Sequence, residues 1–189
     1  MHAWPLAVLA LAVSACAVEP LPLPSSKPGL TESWRGSEVS FAYPRGWSRA
    51  DWSGPSSFTY MVAAVSNQRL GDPCFRRGNG GGCGPPLRRL EPGALLVEWW
   101  VNSFPGWRLA AQPGAPTTVD RLPAKVIGGS QGALACSGLS AAAGITVSIA
   151  SPGAPFNYYQ FVSCMRGPGV AQERSLALAI LRSGRFGSG

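Results

Sequence analysis

Histidine is all but missing from this chain: there is one, His2. It lies in the segment read below as a signal peptide, so the rest of the chain carries no imidazole. The commonest general base and a mixed Cys/His zinc site are both excluded. Lysine is nearly as scarce. Of 16 basic residues only Lys27 and Lys125 are lysine, and the rest are arginine. Acidic residues number 9. Beyond Cys16 and Glu19 no two of them form a recognisable catalytic pair. No run of apolar residues is long enough to span a bilayer as a helix, and no internal repeat is visible.

What is present points to one domain. The 189 residues are 46% hydrophobic and 13% charged, enough for a real core plus tails. Gly 24 and Pro 18 favour strands and loops over long helices. The net charge of +7 suits anionic partners such as lipid headgroups, acidic polymers or acidic proteins. The N-terminus argues against nucleic acid. Residues 3–15, AWPLAVLALAVSA, have the length of a signal-peptide core. Val13-Ser14-Ala15-Cys16 then resembles a bacterial lipobox, whose cysteine becomes the lipid-modified first residue. Ala15-Cys16-Ala17 also fits an ordinary export cleavage site, which would release a chain without Cys16.

The five cysteines favour the lipobox. In an exported chain four can pair, and the odd one is Cys16. Pairing sequence neighbours joins Cys74 to Cys83, worth about 2.5 kcal/mol, and Cys136 to Cys164, worth about 3.5 kcal/mol on the chain-entropy argument. Four free thiols are the other reading. Zinc is disfavoured by the spacing, so no metal and no cofactor are expected.

Residues 16–33 read as a lipid-anchored linker. Pro20, Pro22, Pro24 and Pro28 favour extended geometry at about 3 Å per residue, a reach of roughly 50 Å. The domain is expected over 34–189. Val39, Phe41 and Tyr43 alternate as a strand, and Trp47 caps the core. Ser57 to Ser66 read as a second strand. Residues 67–92 form a long loop, which compact domains keep only with a staple or a job. Its staple is the Cys74–Cys83 bridge; its job would lie in Arg69, Arg76, Arg77, Arg88 and Arg89, set against Asp72 and Glu91. Leu95, Val97, Trp99 and Val101 share one face of a strand, with Leu96 and Trp100 on the other, which predicts a central strand. Glu98 within it then needs an arginine or backbone partner. Thr117 to Gly128 hold short strand pieces. Ala133 to Leu139 and Gly144 to Ser151 read as strands, the latter with Ile145, Val147 and Ile149 facing inward.

The most informative stretch is 157–186. Tyr158 to Met165 alternate as a strand, and Gly167 to Gly169 break it. Pro168 is placed to start a helix. Val170 to Ser183 read as that helix, with Val170, Ala177 and Leu181 on one face and Glu173, Arg174 and Arg182 elsewhere. Gly184 closes it, and Phe186 folds back onto the core.

FAYPRGW, the mid-chain Cys136-Ser-Gly and the ending CMRGP…AILRSGRF resemble small actinobacterial-type lipoproteins of the PsbP-like superfamily. The resemblance covers residues 36–187. It implies an antiparallel sheet with helices packed against it, a bridge between Cys136 and Cys164, and non-catalytic accessory roles at membranes. The pattern here shows one strong helix where the family's sandwich carries helices on both faces.

Gly128-Gly129-Ser130-Gln131-Gly132 matches the G-x-S-x-G nucleophile elbow, but that device needs a following helix and a histidine, so a glycine turn explains it better. The Gly-rich run from Arg77 to Cys83 lacks the Lys-Ser/Thr ending of a phosphate loop. The arginines of the long loop could each contribute about 1 kcal/mol against an anionic membrane, or simply be solvated. Trp52 and Trp107 read as core caps or as exposed anchors. Arg166 reads as a structural donor to loop carbonyls. The resulting expectation is an α+β domain with an antiparallel sheet of about six strands and a C-terminal helix. It would be lipid-anchored at Cys16 on the outer face of the cell membrane and would act as a non-catalytic accessory to an envelope or transport complex. A carrier of lipid or glycolipid in an apolar groove is the alternative. An enzyme built on Ser130 is not expected.

Overall fold

The computed structural model describes residues 29–51, 58–77, 80–83, 85–153 and 157–187. The signal segment, Cys16, most of the linker and Trp52 lie outside the described residues. Twelve strands are present among them: β1 (Leu30–Arg35), β2 (Val39–Pro44), β3 (Ser48–Asp51), β4 (Thr59–Ser66), β5 (Cys74–Arg77), β6 (Gly80–Cys83), β7 (Ala94–Asn102), β8 (Ala115–Val119), β9 (Leu122–Gly128), β10 (Ala143–Ala150), β11 (Tyr158–Arg166) and β12 (Arg185–Phe186). The helices are the single turn α1 (Gly129–Gly132) and the long α2 (Val170–Ser183).

One seven-stranded antiparallel sheet runs β3-β4-β7-β11-β10-β9-β8, and a small sheet runs β1-β2-β12. The fold is therefore α+β, with a C-terminal helix on the sheet. β7 is central, flanked by β4 and β11, because its side chains are apolar on both faces. Leu95, Val97, Trp99 and Val101 enter the larger core, which α2 and the small sheet close. Leu96 enters a smaller core on the opposite face, with Met61, Ala64, Val162 and Cys164. A bulge between Met61 and Ala63 lets both Val62 and Ala63 face the larger core.

The closing segment folds largely as its pattern predicts. Phe186 returns to the core, 4.5 Å from Tyr159 and 5.9 Å from Trp99 between ring centres. Two details differ. Gly169 is the N-cap, so Pro168 precedes the helix instead of opening it. Glu173 is not on the outer face but is 8% exposed, and its Oε2 has no hydrogen-bond partner. Burial pushes its carboxyl pKa up, and its place in the first turn lets the helix dipole offset part of that cost.

Other expectations are corrected. A strand stands ahead of Trp34: residues 30–35 pair with β2. Residues 115–128 form a hairpin, not isolated pieces. Asp120 (φ 47) and Arg121 (φ 69) turn it in the left-handed region without glycine. Asp120 is held there by an ion pair to Arg185 Nε at 3.8 Å and by the Phe186 N–H at 3.3 Å. Residues 133–139 are not a strand: the 3-10 turn Ala133–Cys136 follows directly on α1 there. Gly132 sets this arrangement. A Cβ there would meet the Gly144 carbonyl oxygen at 2.3 Å, so only glycine lets the two backbones approach.

Candidate functional site

Cys136 and Cys164 are bonded, with Cα atoms 5.7 Å apart and both side chains buried. The bridge ties the turn after α1 to central strand β11, in the smaller core. Cys74 and Cys83 stand directly opposite each other in the β5–β6 ladder. Their side chains, with those of Arg76 and Arg77, lie outside the described residues.

The long loop is much more fixed than its composition suggests. Its two arms are clamped where they leave the sheet. Asn67 Nδ2 donates to the Gly93 carbonyl and Asn67 Oδ1 accepts from Leu95 N–H, both at 2.8 Å. Gln68 Nε2 donates to the Arg89 carbonyl at 3.1 Å, and Gln68 Oε1 accepts from Glu91 N–H at 3.0 Å. Leu90 N–H reaches the Leu139 carbonyl at 2.9 Å. Arg166 Nη1 donates to the Leu90 carbonyl at 2.6 Å, the structural role its position suggested. Leu87 and Leu90 are buried in the smaller core and leave Arg88 and Arg89 exposed between them.

This clamped arm borders a cleft of about 610 Å³ whose walls include Gln68, Arg88, Arg89, Glu91 and Arg166. Arg69 is exposed on the other arm and does not line it. The structure thus joins two of the expected surface arginines to Arg166. Sequence alone had linked Arg166 only to loop carbonyls. Its juxtaposition with Arg88 depends on the β7–β11 pairing, which sets Arg166 opposite Ala94, and on its side-chain bond to Leu90, 76 residues away, and leaves no local signal. Trp107 belongs elsewhere. It stacks on Tyr158 at 4.2 Å and 8°, and Tyr158 pairs with Asn102 while Arg166 pairs with Ala94. The two sites therefore lie at opposite ends of the sheet, about 25 Å apart at the rise of a strand.

A second cleft, about 430 Å³, is bordered by Trp34, Arg35, Glu38, Arg49, Asp51 and Tyr60. Among the described residues its charged groups other than Arg35 satisfy one another. Arg49 pairs with Asp51 at 3.2 Å, the Trp34 indole N–H donates to Asp51 at 3.0 Å, and the Tyr60 hydroxyl donates to Glu38 at 3.2 Å. Burial, then the Glu38 charge, pushes the Tyr60 pKa up to about 12.

Glu98 finds neither an arginine nor a backbone partner. The neighbouring Trp100 indole donates to it at 3.2 Å, and burial pushes its carboxyl up to about 7 against the bond's opposing effect. Ser130 is exposed on the single-turn α1. Gly129 there adopts φ 70, so the elbow-like motif is a glycine turn. Among the described residues no group of three or more His, Cys, Asp or Glu could hold a metal. No described helix is long and apolar enough to cross a membrane. Comparison with family models, curated proteins and solved structures finds no match for this chain.

Proposed function

We propose that this is a lipid-anchored extracytoplasmic protein that acts by binding, as a non-catalytic accessory to an envelope or transport complex. The observation that carries the reading is the place where the chain enters the fold. Leu30 pairs with Pro44 at the end of β2. Four residues later β3 begins at Ser48, whose hydroxyl accepts from Leu70 N–H at 3.0 Å. The entering chain and the arginine-bearing loop therefore share one end of the domain. A tether from Cys16 would present Arg69, Arg88 and Arg89 to an anionic surface, where each contributes about 1 kcal/mol. The buried Cys136–Cys164 bridge supports an oxidising compartment. The carrier alternative requires an apolar groove, whereas both clefts described have charged walls. The PsbP-like resemblance rests on the short motifs quoted above.

The test is Cys16→Ser in the native cell, with crosslinking of the unaltered protein in parallel. The variant should leave the membrane fraction, and the native chain should crosslink reproducibly to one membrane protein. Unchanged membrane partition of the variant would overturn the anchor. A lipid released on denaturation, seen by native mass spectrometry, would replace the accessory role with carriage.

A further inference from the structure

We infer that the cleft between Gln68, Arg88, Arg89 and Arg166 is a binding site for a phosphate monoester group. The inference deepens the proposed binding role, since it names what the basic end of the domain takes.

Three observations converge. The first is charge without partners. Among the described residues, Arg88 and Arg89 make no side-chain hydrogen bond or ion pair, and Arg166 uses only Nη1, toward Leu90. The cleft beside Trp34 is the internal contrast, because there Arg49, both carboxylates, the indole and the phenol are matched to one another and a single arginine, Arg35, is left over. The second is rigidity. Gln68 and Asn67 fix the backbone from Arg89 onward, the Gly71 N–H holds the Pro86 carbonyl on the other side at 2.9 Å, and buried Leu87 and Leu90 pin the segment from below. A site whose backbone is already ordered loses less entropy on binding. The third is charge balance. Three guanidiniums meet one carboxylate, Glu91, in the walls of the cleft. A dianion balances that excess, and a lone carboxylate does not. Phosphate monoesters carry nearly two negative charges at neutral pH, and their oxygens match the planar guanidinium fork. The opening, about 610 Å³, leaves room for whatever carries the phosphate.

A phosphate monoester can come from a lipid headgroup or from a soluble metabolite, and the experiment separates the two. The full chain carrying Cys16→Ser, which removes any anchor, is titrated with inorganic phosphate by calorimetry at fixed ionic strength. Saturable binding is expected. Loss of a charged hydrogen-bonding partner weakens such binding about tenfold or more. Arg88→Ala and Arg89→Ala together should therefore abolish it, while Arg182→Ala, exposed on α2 and outside the cleft, leaves it unchanged. All three residues are exposed, and an unchanged thermal unfolding midpoint verifies that the variants fold. No saturable binding by the parent chain, or equal weakening by Arg182→Ala, overturns the site in favour of a diffuse basic surface. Vesicles of phosphatidylcholine with either phosphatidic acid or phosphatidylglycerol, at equal charge, then assign the source. Preference for phosphatidic acid identifies a lipid headgroup; equal binding, with phosphate binding intact, identifies a soluble monoester. These outcomes are independent of the anchor, since native Cys16→Ser partition is measured separately. A failed site leaves the anchored accessory reading standing, and a failed anchor leaves the site standing.

Discussion

The two faces of the seven-stranded sheet are sealed in different ways. Toward α2 the seal is aromatic. Trp99 lies 5.0 Å from Phe161, 5.8 Å from Phe41 and 5.9 Å from Phe186 between ring centres. Phe161 stands opposite Trp99 on neighbouring β11, and strands β2 and β12 of the small sheet bring in Phe41 and Phe186. On the opposite face the strands offer smaller side chains, among them Ala50, Ala64 and Val162, and the cover is loop: Leu87, Leu90, Cys136 and Leu139. A loop delivers few buried side chains per residue ordered, and each ordered residue costs about 1–2 kcal/mol of backbone entropy. That face is held by cross-links instead, namely the disulfide, Arg166 on Leu90, and the Asn67 and Gln68 clamps. A thin layer of cover can be fixed in place when covalent and polar links replace the missing apolar area.

The largest test of this contrast is Trp99→Ala. Removing a fully buried indole at the meeting point of both sheets should cost about 4 kcal/mol, read as a drop in the urea unfolding midpoint. Next is replacement of both Cys136 and Cys164 by serine. The cost should be about 3.5 kcal/mol for a loop of this length. Hydrogen exchange should rise over residues 85–92 and 129–141 while β7 and α2 stay protected. A uniform rise across the domain would show that both faces unfold as one unit.

The smallest effect concerns pH. Glu98 sits on the loop-covered face with a folded-state value of about 7, above the ordinary 4.5. The unfolded chain gives up this proton first. Stability is therefore complete below pH 4.5 and falls as the pH rises toward 7. The loss levels off at about 3 kcal/mol. Glu98→Gln keeps an acceptor for the Trp100 indole and never ionises. It should flatten that slope and raise the unfolding midpoint at pH 8. A variant with the parent slope would place the titration on another group, with Glu173 the next to change.

Most of the sheet was legible because its strands carry strong periods. Ala94 to Val101 announced a strand covered on both sides, and Ile145, Val147 and Ile149 announced an inward face. Three regions were not. Residues 133–139, ALACSGL, alternate apolar side chains like a strand, yet the Gly132–Gly144 backbone contact forces a helical turn before them. The first four residues of β1, 30–33, read as linker, since Thr31, Glu32 and Ser33 look solvated and in β1 only Trp34 is buried. The Asp120–Arg121 turn lacks glycine, and the partner that stabilises Asp120 arrives 65 residues later. The candidate site was half legible. Arg88 and Arg89 stood out by composition, but the clamps from Asn67 and Gln68 are side-chain bonds to backbone groups more than twenty residues away.

The position of β1 has a mechanical consequence. It is the outer strand of the small sheet and joins no other sheet. Tension transmitted from residues before Leu30 reaches this strand first. The strand is fastened by Trp34, whose ring stacks on Phe41 at 5.6 Å while its N–H grips Asp51 on β3. Until Trp34 lets go, a pull strips a short peripheral ladder and leaves the large sheet and its basic cleft at rest. If the domain is tethered as proposed, β1 is a shock absorber at the tether, and a single indole sets its breaking strength.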